Sequence, residues 1–259
     1  MSGPVDRLPI LTFHSISNEP GPTSIAPETF SAQMEAIAEA GVDVVSLEEV
    51  ERWISGSRSL DRPAVAITFD DAFQDFADAA FPVLERLNFP ATVFVPTAIA
   101  GGAEKWTGAN DNARPLMGWE EIAALALKGV SFGSHSRTHC DLTALDPAEL
   151  DEELSASRRD LESRLGRSAR HFAPPYGRSN PAVRSAIARH YSLSVGVRLD
   201  EARRSSPGFD LPRIEMYYYR DIDRWRAFLA GRGGAYLQFR RAARGLRETL
   251  SGAMRRRQF

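Results

Sequence analysis

Short apolar runs alternate along the chain with longer amphipathic stretches. The apolar runs are rich in β-branched and aromatic residues, which is typical of buried strands. They are LPILTFHSI, VDVVSL, AVAITFDD, ATVFVPT, VSFGSHS, HFAPPYG, YSLSVGV and LPRIEM. The stretches between them place apolar residues at helical spacing. They include PETFSAQMEAIAEAG, SLEEVERWISG, FADAAFPVLERLN, GWEEIAALALKG, DPAELDEELSASRRDLESRLG and NPAVRSAIARH.

Residues that begin and end helices support these assignments. Asp146 and Pro147 supply an N-cap and a first-turn proline, and Gly166 follows the last helical position of the same stretch. Asn180 and Pro181 repeat the start signal before the next helix. The sequence therefore predicts two capped helices in this part of the chain.

The regular alternation of strands and helices indicates an α/β fold with a mostly parallel sheet. Seven or eight such units over about 230 residues suit a closed barrel better than an open sheet. We therefore predict a TIM-barrel-like (β/α) barrel of about seven parallel strands, spanning residues 1–231.

The C-terminal segment, residues 232–259, differs from the rest in charge. It holds eight Arg and one Glu, whereas the whole chain has a net charge of −2. Its apolar residues fall at roughly helical spacing. They are Phe239, Ala243, Leu246, Leu250 and Met254. We favour a helix packed on the barrel with a solvated Arg face, and peripheral contact with an anionic membrane surface is the alternative.

Bulk properties narrow the class of protein further. The chain has 32 Lys and Arg against 34 Asp and Glu, so the total charge does not suggest nucleic acid as a partner. One cysteine, Cys140, rules out an intrachain disulfide. The opening MSGPVDRLPILTFHS lacks a signal-peptide pattern, and no run is apolar over the length of a membrane span. These features predict a cytoplasmic protein.

Polar residues follow several predicted strands at their C-terminal ends. His14 follows ILTF, Asp70 and Asp71 follow AITF, His135 follows SFGS and Tyr176 follows FAPP. In a (β/α) barrel the active site forms at this edge. Five such residues on one edge are difficult to explain by packing alone.

His135 and His139 in SHSRTHCDL, together with the two aspartates, have the chemistry of a metal site. A catalytic zinc commonly has three protein ligands and an open position, which His135, His139 and one carboxylate would supply. The second carboxylate could then act as a base. Asp70 and Asp71 can face one site only if their strand has just ended. The alternatives are surface histidines in a polar loop and an aspartate pair that caps the next helix.

At these residues the sequence resembles the polysaccharide deacetylase family, over roughly residues 8–220. The resemblance implies a distorted barrel, with Asp70 in TFDD as the base and Asp71 as a metal ligand. It implies His135 and His139 in HSRTH as the other two ligands of a divalent metal, with zinc as the first candidate. FAPPYG corresponds to a wall of the substrate groove, which includes Pro175. The backbone N–H of Tyr176 in this motif would bind the oxyanion.

Two positions depart from the family pattern. Ala173 stands where the family usually has an arginine that orients the catalytic aspartate, and Arg213 in LPRIEM is our candidate replacement. Its alternative is a structural salt bridge. No histidine follows His190, so the usual C-terminal catalytic histidine is missing. His14 resembles the strand-end histidine of the biofilm poly-glucosamine deacetylases, which acts as the acid, although it could instead be a core histidine.

The predicted function is therefore the hydrolysis of N-acetyl or O-acetyl groups on a carbohydrate. Asp210 or Glu215 could raise the pKa of His14. Trp106 could stack on a sugar ring, while Trp119 suits a core position equally well. The alternatives are a hydrolase of a non-sugar amide and a non-catalytic carbohydrate-binding relative.

Overall fold

The computed structural model describes residues 5–104, 106 and 113–256, with side chains described as far as residue 245. Its strands are β1 (Arg7–Leu8), β2 (Ile10–Phe13), β3 (Asp43–Val44), β4 (Ala64–Phe69), β5 (Ala91–Val95), β6 (Ser131–Ser134), β7 (His171–Phe172), β8 (Leu193–Leu199), β9 (Ala202–Arg203) and β10 (Leu211–Glu215). Its α-helices are α1 (Pro27–Glu39), α2 (Leu47–Ile54), α3 (Phe81–Leu87), α4 (Trp119–Leu127), α5 (Pro147–Leu165), α6 (Pro181–His190), α7 (Ile222–Leu229) and α8 (Gly234–Arg256).

Seven parallel strands of the described chain form a closed barrel. Their order is β2, β10, β8, β7, β6, β5 and β4, and the pairing of β2 with β4 completes the ring. The predicted distorted (β/α) barrel is therefore confirmed. β3 pairs with the first two residues of β4, and β1 pairs with β9 in a separate antiparallel ribbon. All eight predicted strand segments are found.

Aromatic packing fixes the ends of the two strands that close the barrel. Phe13 ends β2 and Phe69 ends β4, and their rings stack with centroids 5.2 Å apart. Phe30 of α1 meets Phe13 edge-on at 5.1 Å, and Phe76 meets Phe69 at 4.7 Å. All four side chains are almost completely buried. Truncating one such ring typically costs about 3–5 kcal/mol, so these strand ends are held rigidly.

The helix termini follow the sequence signals. The Asp146 carboxylate accepts hydrogen bonds from the Ala148 and Glu149 amides, and Glu149 bonds back to the Asp146 amide. Gly166 ends α5 with φ of 62°. The Asn180 side chain accepts from the Val183 amide at 2.9 Å and caps α6. The two predicted caps are therefore confirmed.

One predicted helix differs from the expectation. FADAAFPVLERLN is not a single α-helix but a π-helical turn over Phe76–Ala80 followed by α3. Pro82, in the first turn of α3, has no amide hydrogen, so the regular α-helical hydrogen-bond pattern cannot pass through it. The Phe81 amide bonds instead to the Phe76 carbonyl.

The C-terminal segment is helical, and it packs on the barrel. Leu237 of α8 is buried, and the Tyr236 hydroxyl donates to the Tyr218 carbonyl at 2.9 Å. Arg241 lies 3.0 Å from the Asp200 carboxylate. Phe239 is 64% exposed. Leu246, Leu250 and Met254 of the predicted apolar stripe lie outside the described side chains. None of the helices in the described chain combines the length and apolarity that crossing a membrane requires.

Candidate active site

A cavity of about 1130 Å³ opens at the C-terminal ends of the barrel strands. Eight of the nine residues predicted to form the site line it. They are His14, Asp70, Asp71, Trp106, His135, His139, Tyr176 and Arg213. Pro175, the ninth, is buried directly before Tyr176. The structure thus brings the predicted residues together around one cavity.

Asp70 and Asp71 turn toward different partners although they are adjacent. β4 ends at Phe69, and Asp71 and Ala72 then take φ values of 73° and 55° in the left-handed region. Such a conformation costs a non-glycine residue on the order of 1 kcal/mol or more. This turn allows both carboxylates to face the cavity, which a continuing strand would prevent. Neither aspartate caps a helix, because the next helical segment begins at Phe76.

Asp71 meets the two histidines of the second motif. Its Oδ1 lies 3.3 Å from His135 Nε2 and 3.1 Å from His139 Nε2. Burial opposes ionisation, but the two imidazoles hold the pKa of Asp71 below its usual range. Asp71 is therefore a carboxylate at neutral pH, as a metal ligand must be.

The donor set of these three residues fits a divalent cation. One ligand atom from each of Asp71, His135 and His139 lies within 4.8 Å of the other two. His135 Nδ1 is 2.7 Å from the Ala173 carbonyl, and a carbonyl can only accept, so Nδ1 carries the hydrogen. In the neutral ring Nε2 then presents a lone pair toward Asp71, as in metal-binding histidines. Asp71 Oδ1 is buried and has no hydrogen-bond partner among the described residues.

Two aromatic rings pack against His139. The Trp106 ring stacks on the imidazole with centroids 3.9 Å apart, and the Tyr176 ring meets it edge-on at 4.8 Å. His139 has φ of 60°, and its amide donates to Ser136 Oγ at 3.1 Å. These contacts fix the orientation of the imidazole. Trp119, by contrast, packs against the hydrophobic core at the start of α4.

Arg213 of β10 binds Asp70 through both of its terminal nitrogens. Nη1 lies 2.7 Å from Oδ1 and Nη2 lies 2.7 Å from Oδ2. The Arg213 Nε donates to the Gly196 carbonyl at 2.8 Å, and Nη1 also contacts Thr68 Oγ1 at 3.2 Å. Burial alone would raise the pKa of Asp70, but the Arg213 guanidinium lowers it below its ordinary value. Asp70 is thus held ionised in one orientation.

His14 lies on the other side of Asp70. Its Nε2 is 3.9 Å from Asp70 Oδ2, and its Nδ1 has no hydrogen-bond partner among the described residues. Glu215, one of the two carboxylates suggested as neighbours of His14, lines the same cavity. Burial raises the pKa of Glu215, and the positive charge of protonated His14 would lower it. Asp210, the other suggestion, faces Arg184 and Arg198 and does not line the cavity.

Tyr176 has an unusual backbone conformation after the proline pair. Its φ and ψ are 58° and 6°, and its backbone N–H has no hydrogen-bond acceptor among the described residues. Gly177 follows, also with positive φ, and a Cβ there would lie 2.1 Å from the Val197 side chain. Only glycine therefore fits this approach to β8. The Tyr176 amide is available to a bound ligand.

Two supports of the site were not predicted. Asp75 accepts from Ser15 Oγ at 2.5 Å and from the Ile16 amide at 2.8 Å, so it ties the segment after His14 to the turn after Asp71. Asp75 follows Asp70 and Asp71 in the same short segment, and its partners are about sixty residues away. No local sequence signal indicates that contact.

The second unpredicted support lies within the long loop 101–119. Arg114 donates to both oxygens of Glu104, at 2.7 and 2.8 Å, and to Ser24 Oγ at 3.0 Å. This buried ion pair joins the two ends of the loop. Residues 105 and 107–112 of the loop lie outside the described residues.

The remaining histidines lie away from the cavity. His171 Nε2 is 3.3 Å from Glu51, and His190 Nε2 is 2.8 Å from Asp151. Both contacts join neighbouring elements at other surfaces, which indicates a structural role for the two histidines. Cys140 is half-buried and is not part of the ligand cluster.

Comparisons with known proteins point in one direction. A family model described as polysaccharide deacetylase matches residues 57–193. The poly-β-1,6-N-acetyl-D-glucosamine N-deacetylase of Staphylococcus epidermidis is 26% identical over 205 residues, which are 74% of this chain and 67% of that protein.

Two solved structures are similar throughout the barrel. The Streptococcus pyogenes deacetylase PplD, in complex with acetate, superposes with a TM-score of 0.71 at 27% identity and covers 82% of this chain and 92% of its own. IcaB from Ammonifex degensii superposes with a TM-score of 0.72 at 26% identity and covers 89% of this chain and 98% of its own.

Proposed function

The chain belongs to the polysaccharide deacetylase family. On this basis we propose that it is a metal-dependent hydrolase that releases acetate from N-acetyl or O-acetyl groups of a carbohydrate. Two similar proteins support this choice of reaction. One is named as a poly-β-1,6-N-acetyl-D-glucosamine N-deacetylase, and the other is a deacetylase whose structure contains bound acetate. The enzyme class is a hydrolase of carbon–nitrogen bonds other than peptide bonds.

One observation carries the proposal. Three potential ligand atoms, from Asp71, His135 and His139, converge within 4.8 Å beside the carboxylate of Asp70, which Arg213 holds at 2.7 Å. A metal triad next to an ionised carboxylate is the arrangement that hydrolysis of an amide by an activated water needs.

Asp71, His135 and His139 would hold the cation, and zinc is our first candidate because two imidazoles and one carboxylate form a common catalytic zinc set. When bound there, such a cation polarises the acetyl carbonyl and lowers the pKa of water. The Ala173 carbonyl keeps His135 in the tautomer that ligation requires.

Asp70 is the proposed base. Its pKa is lowered by Arg213 despite its burial, so it is ionised and able to accept the proton of the attacking water. The two hydrogen bonds from Arg213 leave the carboxylate little freedom to rotate. Arg213 acts through Asp70 and is therefore a positioning residue.

His14 is the proposed acid for the leaving nitrogen. Its Nε2 lies 3.9 Å from Asp70 Oδ2, so a scissile bond placed beside this pair would be within reach of both groups. A proton that Asp70 takes from water on one side and a proton that His14 gives on the other complete the hydrolysis. Asp75 holds the segment that follows His14.

The remaining predicted residues suit substrate binding. The Tyr176 amide, without an acceptor among the described residues, could donate to the oxyanion that develops on the acetyl group. Pro175 and Tyr176 are the proposed wall of the groove. The Tyr176 ring meets His139 edge-on, and the Trp106 ring stacks on the same imidazole. We propose that the indole face of Trp106 contacts the sugar.

The two alternative functions receive less support. The non-catalytic alternative was suggested by Ala173, and Arg213 supplies a guanidinium to Asp70 from a different strand. A hydrolase of a non-sugar amide would share the same catalytic groups. It is distinguished by substrate, because it would release acetate from simple amides and not from acetylated sugars.

The test is metal analysis combined with an acetate assay. Protein freed of metal with a chelator should release no acetate from chitooligosaccharides, and added Zn²⁺ should restore the activity with about one cation per chain. Asp71→Asn should bind the cation more weakly and lose activity with it. A chain that binds zinc but releases no acetate from any acetylated sugar would contradict the proposal.

The basic helix α8 bears on a second predicted partner, an anionic membrane surface. Its packing through Leu237 and Tyr236 agrees with the favoured prediction of a docked helix. Peripheral contact with anionic lipid through exposed Phe239 remains a prediction. Co-sedimentation of the protein with anionic and neutral vesicles tests it.

A further inference from the structure

The C-terminal helix forms a wall of the catalytic cavity. Arg240, Ala243 and Arg244 of α8 line it together with Tyr217 and Tyr218, which follow β10. These residues are far from the metal motifs in sequence, and the proposed reaction uses none of them. The cavity also exceeds the roughly 300–1,000 Å³ of most small-molecule sites, so it has room for more than an acetylated sugar.

The charges around the cavity are not balanced within it. Four arginines line it (Arg114, Arg213, Arg240 and Arg244) against three carboxylates (Asp70, Asp71 and Glu215). Arg213 is paired with Asp70, and Arg114 is paired with Glu104, which lies outside the lining. Asp71 would be neutralised by the cation that it binds. On the wall formed by α8, the charge of Arg240 is therefore the one to consider, because no carboxylate of the described residues forms an ion pair with it.

Arg240 is held in place without an anionic partner. Its guanidinium lies over the Tyr218 ring, 3.9 Å from the centroid. Its Nε is buried and has no hydrogen-bond partner among the described residues, and none of their carboxylates forms an ion pair with it. The stacking leaves the edge of the guanidinium with its N–H groups free to bind planar oxyanions, for which arginine geometry is well suited.

The anchoring of α8 makes this position stable. Leu237 is buried in the core, and the Tyr236 hydroxyl bonds to the carbonyl of Tyr218, the residue on which Arg240 stacks. Arg241 pairs with Asp200 on the barrel. The wall is thus a built part of the site.

From this geometry we propose that the substrate is an anionic acetylated carbohydrate, whose carboxylate or phosphate group is bound by Arg240. The inference rests on the proposed deacetylase function and specifies its substrate class. A neutral sugar offers only hydroxyl groups, which form weaker hydrogen bonds with a guanidinium than an oxyanion does. An oxyanion would gain charge-assisted hydrogen bonds from the terminal N–H groups of Arg240.

The experiment compares three disaccharides that differ only at the reducing end. They are di-N-acetylchitobiose, its 1-phosphate and its aldonic acid, each assayed for acetate release by zinc-loaded protein. We expect kcat/KM to be about tenfold higher for one or both anionic forms than for the neutral one. A phosphate preference and a carboxylate preference distinguish the two sources of the anion. The preference should shrink as salt is raised, because screening weakens the ionic contact.

Variants connect the preference to Arg240. Arg240→Gln should bring the ratio of anionic to neutral kcat/KM close to one, and Arg240→Lys should retain part of it because the charge remains. Arg232→Gln removes one positive charge from an exposed residue just before α8 and should leave the ratio unchanged. Thermal unfolding of each variant shows whether α8 remains docked.

The outcomes separate the two proposals. If neither these three disaccharides nor any other acetylated sugar releases acetate, the deacetylase function fails and the anionic substrate with it. If all three are hydrolysed with equal kcat/KM by the wild-type protein, only the anionic substrate is refuted. A preference that persists unchanged in Arg240→Gln refutes the role of Arg240. The wild-type comparison does not depend on any variant folding.

Discussion

Arg213 on β10 holds both oxygens of Asp70 at 2.7 Å, although an arginine was expected directly after β7, two strands away in the barrel. The expected position, Ala173, is fully buried against the hydrophobic core. A guanidinium from a different strand therefore reaches the same carboxylate. The orientation of an active-site aspartate depends on the spatial position of its partner and not on its place in the chain.

Replacement of Arg213 should separate charge from geometry. Arg213→Lys keeps a charge beside Asp70 but loses the paired hydrogen bonds, so we expect kcat to fall about 10-fold to 100-fold. Arg213→Met leaves a buried carboxylate unpaired, which typically costs about 3–5 kcal/mol of stability. Chemical denaturation and acetate release measure the two effects. Wild-type turnover in Arg213→Met would show that the contact is only structural.

Asp70→Asn should abolish turnover while it spares the cation. The amide cannot accept the proton of the attacking water, so we expect kcat to fall by about 10²–10⁴. The ligands Asp71, His135 and His139 remain, so zinc content measured by mass spectrometry should stay at the wild-type level. Loss of zinc from this variant would mean that the roles of Asp70 and Asp71 are reversed.

His14→Ala should affect substrates according to their leaving group. Hydrolysis of an N-acetyl group requires a proton on the departing nitrogen, and we expect a loss of about 10²–10⁴. An activated aryl acetate ester leaves as a stable anion and should lose much less. Steady-state rates on the two substrates give the comparison. An equal loss on both would contradict the assignment of His14 as the acid.

Asp75→Ala should reproduce a weaker form of the His14 defect. It removes the acceptor for the Ile16 amide and for Ser15 Oγ, which costs about 1–3 kcal/mol and loosens the segment after His14. The loss of kcat should again be larger for amides than for aryl esters. Asp78→Ala, at an exposed position in the same turn, is the matched control. The same loss on both substrates would indicate a purely structural role.

The Glu51 cluster should make stability depend on pH on the acidic side. The hydrogen bond from His171, with support from Arg170, lowers the pKa of Glu51 to about 2. Because this pKa lies below its unfolded value of about 4.3, the contribution is present above pH 4.3 and is lost as the pH falls toward 2.

The effect is small, since an exposed pair of this kind contributes at most about 1 kcal/mol. Glu51→Gln should lower the unfolding free energy at pH 7 and leave it nearly unchanged near pH 2. Glu48→Gln, on the same face of α2, is the control. Equal destabilisation at both pH values would exclude the ionic contribution.

The features that could be predicted are those that depend only on short segments of the sequence. The strands follow from local apolar runs, and the helix caps follow from Asp146, Gly166 and Asn180. The position of Asp70, Asp71 and His135 at strand ends already located the cavity, because parallel barrel strands present their carboxyl ends on one side. Membership of the polysaccharide deacetylase family is likewise confirmed.

The unpredicted features depend on contacts between distant segments. Asp75 meets Ser15 across about sixty residues, and Glu104 closes a loop by pairing with Arg114. Arg240 reaches the cavity only because α8 folds back over the barrel. A carboxylate or guanidinium that serves such a contact looks in the sequence like any solvated charge. The π-helical turn before Pro82 was not predicted for a different reason. The spacing of apolar residues does not show where the absent amide hydrogen of a proline interrupts the α-helical hydrogen bonds.

Closure of the ring through β2 and β4 has a consequence for how the enzyme can be divided. The central segment that matches the family model contains Asp70, Asp71, His135 and His139, whereas His14 precedes it and Arg213 follows it. A fragment limited to the centre would retain the means of binding a cation but would lack both proton delivery and control of the base. If His14 and Arg213 have the proposed roles, we expect turnover only when the two ends of the chain meet as neighbouring strands, β2 and β10. In that case, turnover would measure the fraction of molecules in which the barrel has closed.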